Sequence, residues 1–388
     1  MKYWRGYLTA VVFAGLTLAL QQFAKNHGDL LDMVYPYMTR IVQDMLTGWS
    51  SGFSFCLWQI LVGIFVVILI ATVVLMVILR WNFFQWLGWV LACVSIVFCL
   101  HTGLYGLNTH CSPLAEDIRL NVTEFTITEL VNATTYYRDK ANALAPQIPR
   151  DAEGKPQLSS FEEMAGQAGE GFKKLTYEHS YSVFGGNTAP VKELGMSDMF
   201  TSMGIAGMTM PLTGEAAVNP QIPGISLPFT MCHEMAHRMC ISQERDANLA
   251  AFLACQANSD PTFQYSAYFM AYRYCYSALC SDRTSTAQAA AKTIQAGVGS
   301  LLQQDLTDYD TFFAQKQDEK ATNMANKVND TYIQVSGDES GVRSYEEVST
   351  LLVSWYIQEV YLPAHQDDVE KFDPLDPDQV DLDYGFGG

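Results

Sequence analysis

Two histidines separated by three residues, with a glutamate directly after the first, stand in FTMCHEMAHRMCISQERDANLAAF at residues 229–252. On a helix, residues four apart share a face, so His233 and His237 can aim both imidazoles at one metal ion. Glu234 sits about 100° around the helix from His233, where its carboxylate can reach water held at that ion. The chemistry this spacing supports is hydrolysis. Zn2+ lowers the pKa of such a water to about 7, and Glu234 takes the proton as the water attacks a carbonyl.

A catalytic zinc keeps three protein ligands and one open position, and Glu244 is the candidate third ligand. On an uninterrupted helix it would lie about 10.5 Å beyond His237 along the axis, too far to share an ion. The chain is therefore expected to turn at Cys240-Ile241-Ser242, with Ser242 capping a second helix that opens near Glu244. Asn248 shares the face of Glu244 one turn later and is expected to hydrogen-bond a ligand. A purely structural zinc fits less well, because closed sites use four cysteine or histidine ligands. No C-x-x-C pair occurs in the chain.

His233-Glu-x-x-His237 followed by Glu244-x-x-Ala247-Asn248 resembles the gluzincin class of metallopeptidases. Over most of its length the chain also resembles a bacterial family of membrane proteins known as a domain of unknown function. The stretches that carry this likeness include GLNTHCSPLAEDIRL, MPLTGEAAVN, LPFTMCHEMAHRMCISQERDANLAAFLAC and FQYSAYFMAYRY. The resemblance implies a membrane-tethered, zincin-like peptidase domain with His233, His237 and Glu244 as zinc ligands and Glu234 as base. That pattern usually has glycine three residues after the second histidine, where this chain has Cys240. A residue with a side chain must therefore make the turn toward Glu244.

Elements that would position the site follow from local patterns. Residues 203–223 are rich in Gly and Pro with short apolar runs, which suits a hairpin or extended strand. Zincins offer substrate an edge strand, and 206–219 is the best candidate, with Glu215 a possible contact for a substrate amine. Tyr265, Tyr268, Tyr272, Arg273 and Tyr276 supply hydrogen-bond donors downstream; Tyr265 and Arg273 are the substrate-binding candidates, although tyrosines at helical spacing more often form core. Capping boxes are expected at Thr126–Glu129, Ser159–Glu162 and Ser344–Glu347. The last leads into Val348, Leu351, Leu352 and Trp355 at helical spacing.

The N-terminal third reads as membrane. Residues 53–79 and 82–107 carry no charge, and 7–23 is a shorter apolar run behind Lys2 and Arg5. Three transmembrane helices over these ranges would anchor a domain at 108–362, followed by an acidic tail at 363–388. The expected fold is mainly α with a small β element. Lys2, Arg5 and Arg80 on one side favour a cytoplasmic N-terminus and a domain outside a bacterial cytoplasmic membrane. Of 23 basic and 41 acidic residues only five and three lie in the first 107, which leaves the remainder a net charge of −20. That charge disfavours nucleic acid as a partner. Six cysteines fall in the outer part, and spacing leaves open whether they pair or are buried thiols. The expected function is a membrane-anchored zinc metallopeptidase acting on peptides or proteins. The alternative is a membrane sensor or assembly protein that keeps a zinc site without proteolysis. An intramembrane protease is disfavoured by Arg238, Glu244, Arg245 and Asp246 crowding the motif.

Overall fold

The computed structural model describes residues 4–336 and 344–365, so the acidic tail falls almost entirely outside the described residues. Helix dominates. Four long helices open the chain: α1 (Trp4–Asn26), α2 (Gly28–Ser50), α3 (Leu57–Ile78) and α4 (Phe83–Leu104). Of these, α1, α3 and α4 are long and apolar enough to cross a membrane. They coincide with the three apolar runs. Helices α1 and α4 lie side by side and run the same way. Gly6 meets Gly88 near their starts, where a Cβ on Gly6 would come 2.5 Å from the Gly88 carbonyl carbon. Ala24 and Leu107 share a cluster at the other end. Small residues let the two backbones approach, as in membrane helix pairs.

The following region is built around α11 (Glu244–Ala257), whose residues from Asp246 to Cys255 are all buried. Before it come α5 (Leu114–Asp117), α6 (Ile127–Leu144), α7 (Phe161–Gln167), α8 (Gly169–Tyr177), α9 (Ser197–Ser202) and α10 (Leu227–Arg238). After it come α12 (Pro261–Ser281), α13 (Ser285–Ala296), α14 (Ser300–Lys316), α15 (Glu319–Ser336), α16 (Ser344–Tyr356) and α17 (Leu362–Ala364). Helices α8, α10, α12 and α16 pack around α11. Thr126 and Glu129 form a capping box at α6, and the second box is Ser160–Glu163, one residue later than the Ser159–Glu162 expected. Helix α16 starts at Ser344 and buries Val348, Leu351, Leu352 and Trp355.

The β element is one sheet in the order β1-β3-β2. Strand β2 (Gly207–Met210) and β3 (Glu215–Val218) form the antiparallel hairpin expected from 203–223, and β1 (Lys192–Glu193) adds in parallel. Residues with φ above zero would normally be glycine at such a turn, and Gly214 has φ +64.

The four N-terminal helices and the elements after them are not separated in packing. Helix α2, in the charged segment between the first two apolar runs, turns its polar residues onto the region that follows α4. Gln43 donates to the Pro211 carbonyl, Thr47 to the Gly214 carbonyl, and Asp44 accepts from the Asn187 N–H. Cys56 and Trp58, at the start of α3, share a core cluster with Leu194, Phe200 and Ala217.

Helices α8 and α11 cross closely at a glycine. A Cβ on Gly171 would lie 1.8 Å from the Ala254 carbonyl oxygen, which no side-chain adjustment can relieve. Gly171→Ala should therefore force α8 away from α11 and lower stability by about 3 kcal/mol. Thermal unfolding of the detergent-solubilised protein measures this.

Candidate metal centre

Helix α10 carries His233, Glu234 and His237, and α11 opens on Glu244. The turn between them is a Schellman motif. The Ile241 N–H reaches the Ala236 carbonyl and the Cys240 N–H reaches the His237 carbonyl, at 3.1 and 3.0 Å. Cys240 occupies the left-handed position with φ +71, so the chain makes with cysteine the turn that glycine makes more easily. Ser242, expected to cap α11, does not. Gln243 is the residue before the helix, no side chain caps it, and the Ser242 hydroxyl is buried without a hydrogen bond.

The reversal brings the two imidazoles and the Glu244 carboxylate together. His233 Nε2 and His237 Nε2 are 3.1 Å apart, His233 Nε2 and Glu244 Oε2 3.3 Å, and His237 Nε2 and Glu244 Oε1 3.6 Å. Tetrahedral zinc with bonds of about 2.05 Å places its ligand atoms about 3.3 Å from one another. The nitrogen–nitrogen separation and the nearest carboxylate contact of each imidazole, one to each Glu244 oxygen, lie near that value. His237 Nδ1 lies 2.8 Å from the Ile241 carbonyl, which fixes the tautomer with Nδ1–H as donor and leaves Nε2 free to ligate. Burial alone would lower the pKa of His237, but the facing Glu244 and Glu234 carboxylates outweigh it and hold it at about 9. Burial of Glu244 acts to raise its pKa, yet the two imidazoles hold it well below the usual carboxylate range. A field that draws a proton into this cluster favours a cation there. The Glu244 side chain is 40% exposed against 15% and 11% for the two histidines, so the cluster opens to solvent on the carboxylate side.

Glu234 is buried against β2. The Thr209 hydroxyl lies 2.8 Å from Glu234 Oε2, to which it can donate, and 2.9 Å from the Glu234 carbonyl oxygen. Gly207, two residues earlier on the same strand face, leaves room for the carboxylate: a Cβ there would fall 2.5 Å from Oε1. Burial pushes the Glu234 carboxyl above its ordinary pKa. Asn248 donates to the Glu244 backbone carbonyl at 2.8 Å and accepts from the Tyr274 hydroxyl at 2.9 Å. It supports the backbone of Glu244, and no hydrogen bond joins it to the carboxylate.

Three substrate-binding candidates are engaged elsewhere. Glu215 is fully buried and accepts from the Leu57 and Trp58 N–H groups at the start of α3, with Lys192 Nζ 2.6 Å away. Tyr265 donates to Asp305, which also pairs with Arg150. Arg273 pairs with Asp310 and lies over the Tyr309 ring. Tyr268, Tyr272 and Tyr276 pack or stack with neighbouring side chains, as a core stripe does. Residues missed in the sequence are Gly207 and Thr209, which a two-residue strand period would have placed on one face. Tyr274 and Tyr105 were also missed; the Tyr105 hydroxyl donates to the His237 carbonyl at 3.0 Å. All nine cysteines are free thiols.

Residues 31–353 match the family described as "Protein of unknown function (DUF3810)". The chain belongs to this family. The match begins inside α2 and runs through the His233–His237–Glu244 cluster into α16. No curated protein and no solved structure matches the chain.

The left-handed turn makes a definite demand on position 240. Cys240→Gly should leave the unfolding temperature unchanged or raise it. Cys240→Val puts a branched side chain at φ +71 and should cost about 2 kcal/mol, read by the same thermal unfolding.

Proposed function

We propose that the protein is a membrane-anchored zinc metallopeptidase with a zincin-like, gluzincin-type ligand set: His233, His237 and Glu244. The observation that carries this reading is the convergence of two imidazole nitrogens 3.1 Å apart on one carboxylate, which meets His233 through Oε2 at 3.3 Å and His237 through Oε1 at 3.6 Å, close to the ligand spacing around a tetrahedral zinc. When bound, zinc would supply Lewis acidity and acidify a water at its remaining position. Glu234 takes the proton from the attacking water and returns it to the leaving amine. A buried carboxyl with a raised pKa suits both halves of that task. Thr209 holds one oxygen of Glu234 and leaves the other free. Among the described residues β2 pairs only with β3, so its outer edge is available to an extended peptide backbone. The charged residues around the motif keep this chemistry in water beside the membrane, not inside it.

Purified full-length protein should contain one zinc per chain and cleave members of a peptide library. Glu234→Gln should keep the zinc and lower kcat by about a hundredfold or more. Gly207→Ala, which displaces the Glu234 carboxylate, should also keep zinc and lose cleavage. Glu244→Ala should lose zinc. Zinc without cleavage in the wild-type protein would leave the sensor or assembly role.

The basic residues at the N-terminus and at Arg80 favour a cytoplasmic start, with the metal centre outside. Cys280 is exposed and lies outside the apolar helices. A membrane-impermeant maleimide should label it in intact cells, and Cys280→Ser should remove that label. Labelling of Cys280 only after lysis would place the metal centre in the cytoplasm.

A further inference from the structure

Helix α2 is amphipathic in the reverse of the usual sense. A helix on the surface of a soluble domain normally turns its apolar stripe to the core. Here the buried positions along α2 are mostly polar, with Thr39, Gln43, Thr47 and Ser50 one turn apart. The inward polar groups find partners in the outer region: Asp32 with Ser112, Arg40 with the Ser182 carbonyl, Asp44 with Asn187. The outward stripe is Met33, Tyr37, Met38, Ile41, Met45 and Trp49, which are 72, 58, 59, 61, 71 and 59% exposed. A continuous apolar surface of this kind marks an interaction site.

Chain connectivity indicates the occupant. One residue, His27, separates α1 from α2, and residues 51–56 separate α2 from α3. Both α1 and α3 are apolar enough to cross a membrane. A helix of 23 residues, about 34 Å long and tied at both ends to membrane-crossing helices, is held along the bilayer surface. Tyr37 and Trp49 are the side chains that favour the headgroup boundary. With α1, α3 and α4 each crossing once, α2 and the region after α4 emerge on the same side, as their contacts require. We propose that α2 lies in the membrane interface, with its apolar stripe set into the boundary between headgroups and acyl chains and its polar face bearing the metal-centre region. The lipid of the bilayer is the partner. Through Gln43 and Thr47 the helix holds the β2–β3 turn, so the strand that carries Gly207 and Thr209 is fixed close to the membrane surface. This seat does not depend on whether the metal centre hydrolyses peptides.

The test uses full-length protein in vesicles of phosphatidylethanolamine and phosphatidylglycerol, with a benzophenone amino acid replacing Met38, Ile41 or Met45 in turn. Val67 in α3 serves as the lipid-facing control and Tyr177, 82% exposed on α8, as the water-facing one. On irradiation, the three α2 positions should give phospholipid adducts by mass spectrometry at yields comparable to Val67, while Tyr177 gives none. Adducts to a second copy of the chain, or to another segment of the same chain, would overturn the proposal in favour of a protein partner. Absence of lipid adducts at all three positions, with Val67 labelled, would overturn it in favour of a water-exposed helix.

Discussion

Two imidazole nitrogens 3.1 Å apart and a carboxylate whose two oxygens lie 3.3 and 3.6 Å from them stay together only if the backbone forces them together and their charges reward it. Both conditions hold here. The Schellman turn reverses the chain within five residues, so the first residue of α11 faces the last turn of α10. The Glu244 and Glu234 carboxylates raise the pKa of His237 and the two imidazoles lower that of Glu244, so the cluster favours positive charge beside the carboxylate. The Ile241 carbonyl connects the two effects, because the segment that makes the turn also orients His237. Everything proposed for the chemistry depends on this closure. Without it α10 would be an ordinary buried helix.

What could be read from the sequence was what is written in local periodicity. The four-residue spacing of His233 and His237, the glycine- and proline-broken hairpin and the charge-free runs all have short-range causes, and all are present in the structure. Glu244 could be reached as well, since its distance along a straight helix required a turn. The substrate-binding candidates were less legible because their partners lie far away in sequence. Glu215 meets Leu57 across 158 residues and Tyr265 meets Asp305 across 40, and no local pattern marks either pairing. Helix α2 was hidden for a different reason. Charges at Asp29, Asp32, Arg40 and Asp44 interrupt its hydropathy, and its polar side is the buried one, opposite to what a soluble helix would display.

Glu215 is better understood as a joint than as a contact for substrate. Its two oxygens accept the first free N–H groups of α3, the end of a helix dipole that favours negative charge. Lys192 neutralises it and also donates to the Ser50 and Phe55 carbonyls. A carboxylate buried this deeply is tolerated because charge and hydrogen bonding are both satisfied. It ties β3, at the centre of the sheet, to the start of a membrane helix. The motion of α3 relative to the sheet is thereby restricted.

The same coupling recurs at the elements around the His233–His237–Glu244 cluster. Tyr105, one residue beyond α4, donates to the carbonyl of His237, and Gln243, just before Glu244, reaches the Thr109 carbonyl. The β2–β3 turn rests on α2, where a Cβ on Gly214 would strike the Thr47 backbone nitrogen at 2.5 Å. Both ligand-bearing helices and the strand behind Glu234 are thus positioned in part by residues that precede position 110. A fragment beginning after α4 would retain His233, His237 and Glu244 in its sequence. It would lose the contacts that set the ends of α10 and α11 and the seat of β2. The N-terminal segments, three of them apolar enough to cross a membrane, are therefore part of the framework of the His233–His237–Glu244 cluster.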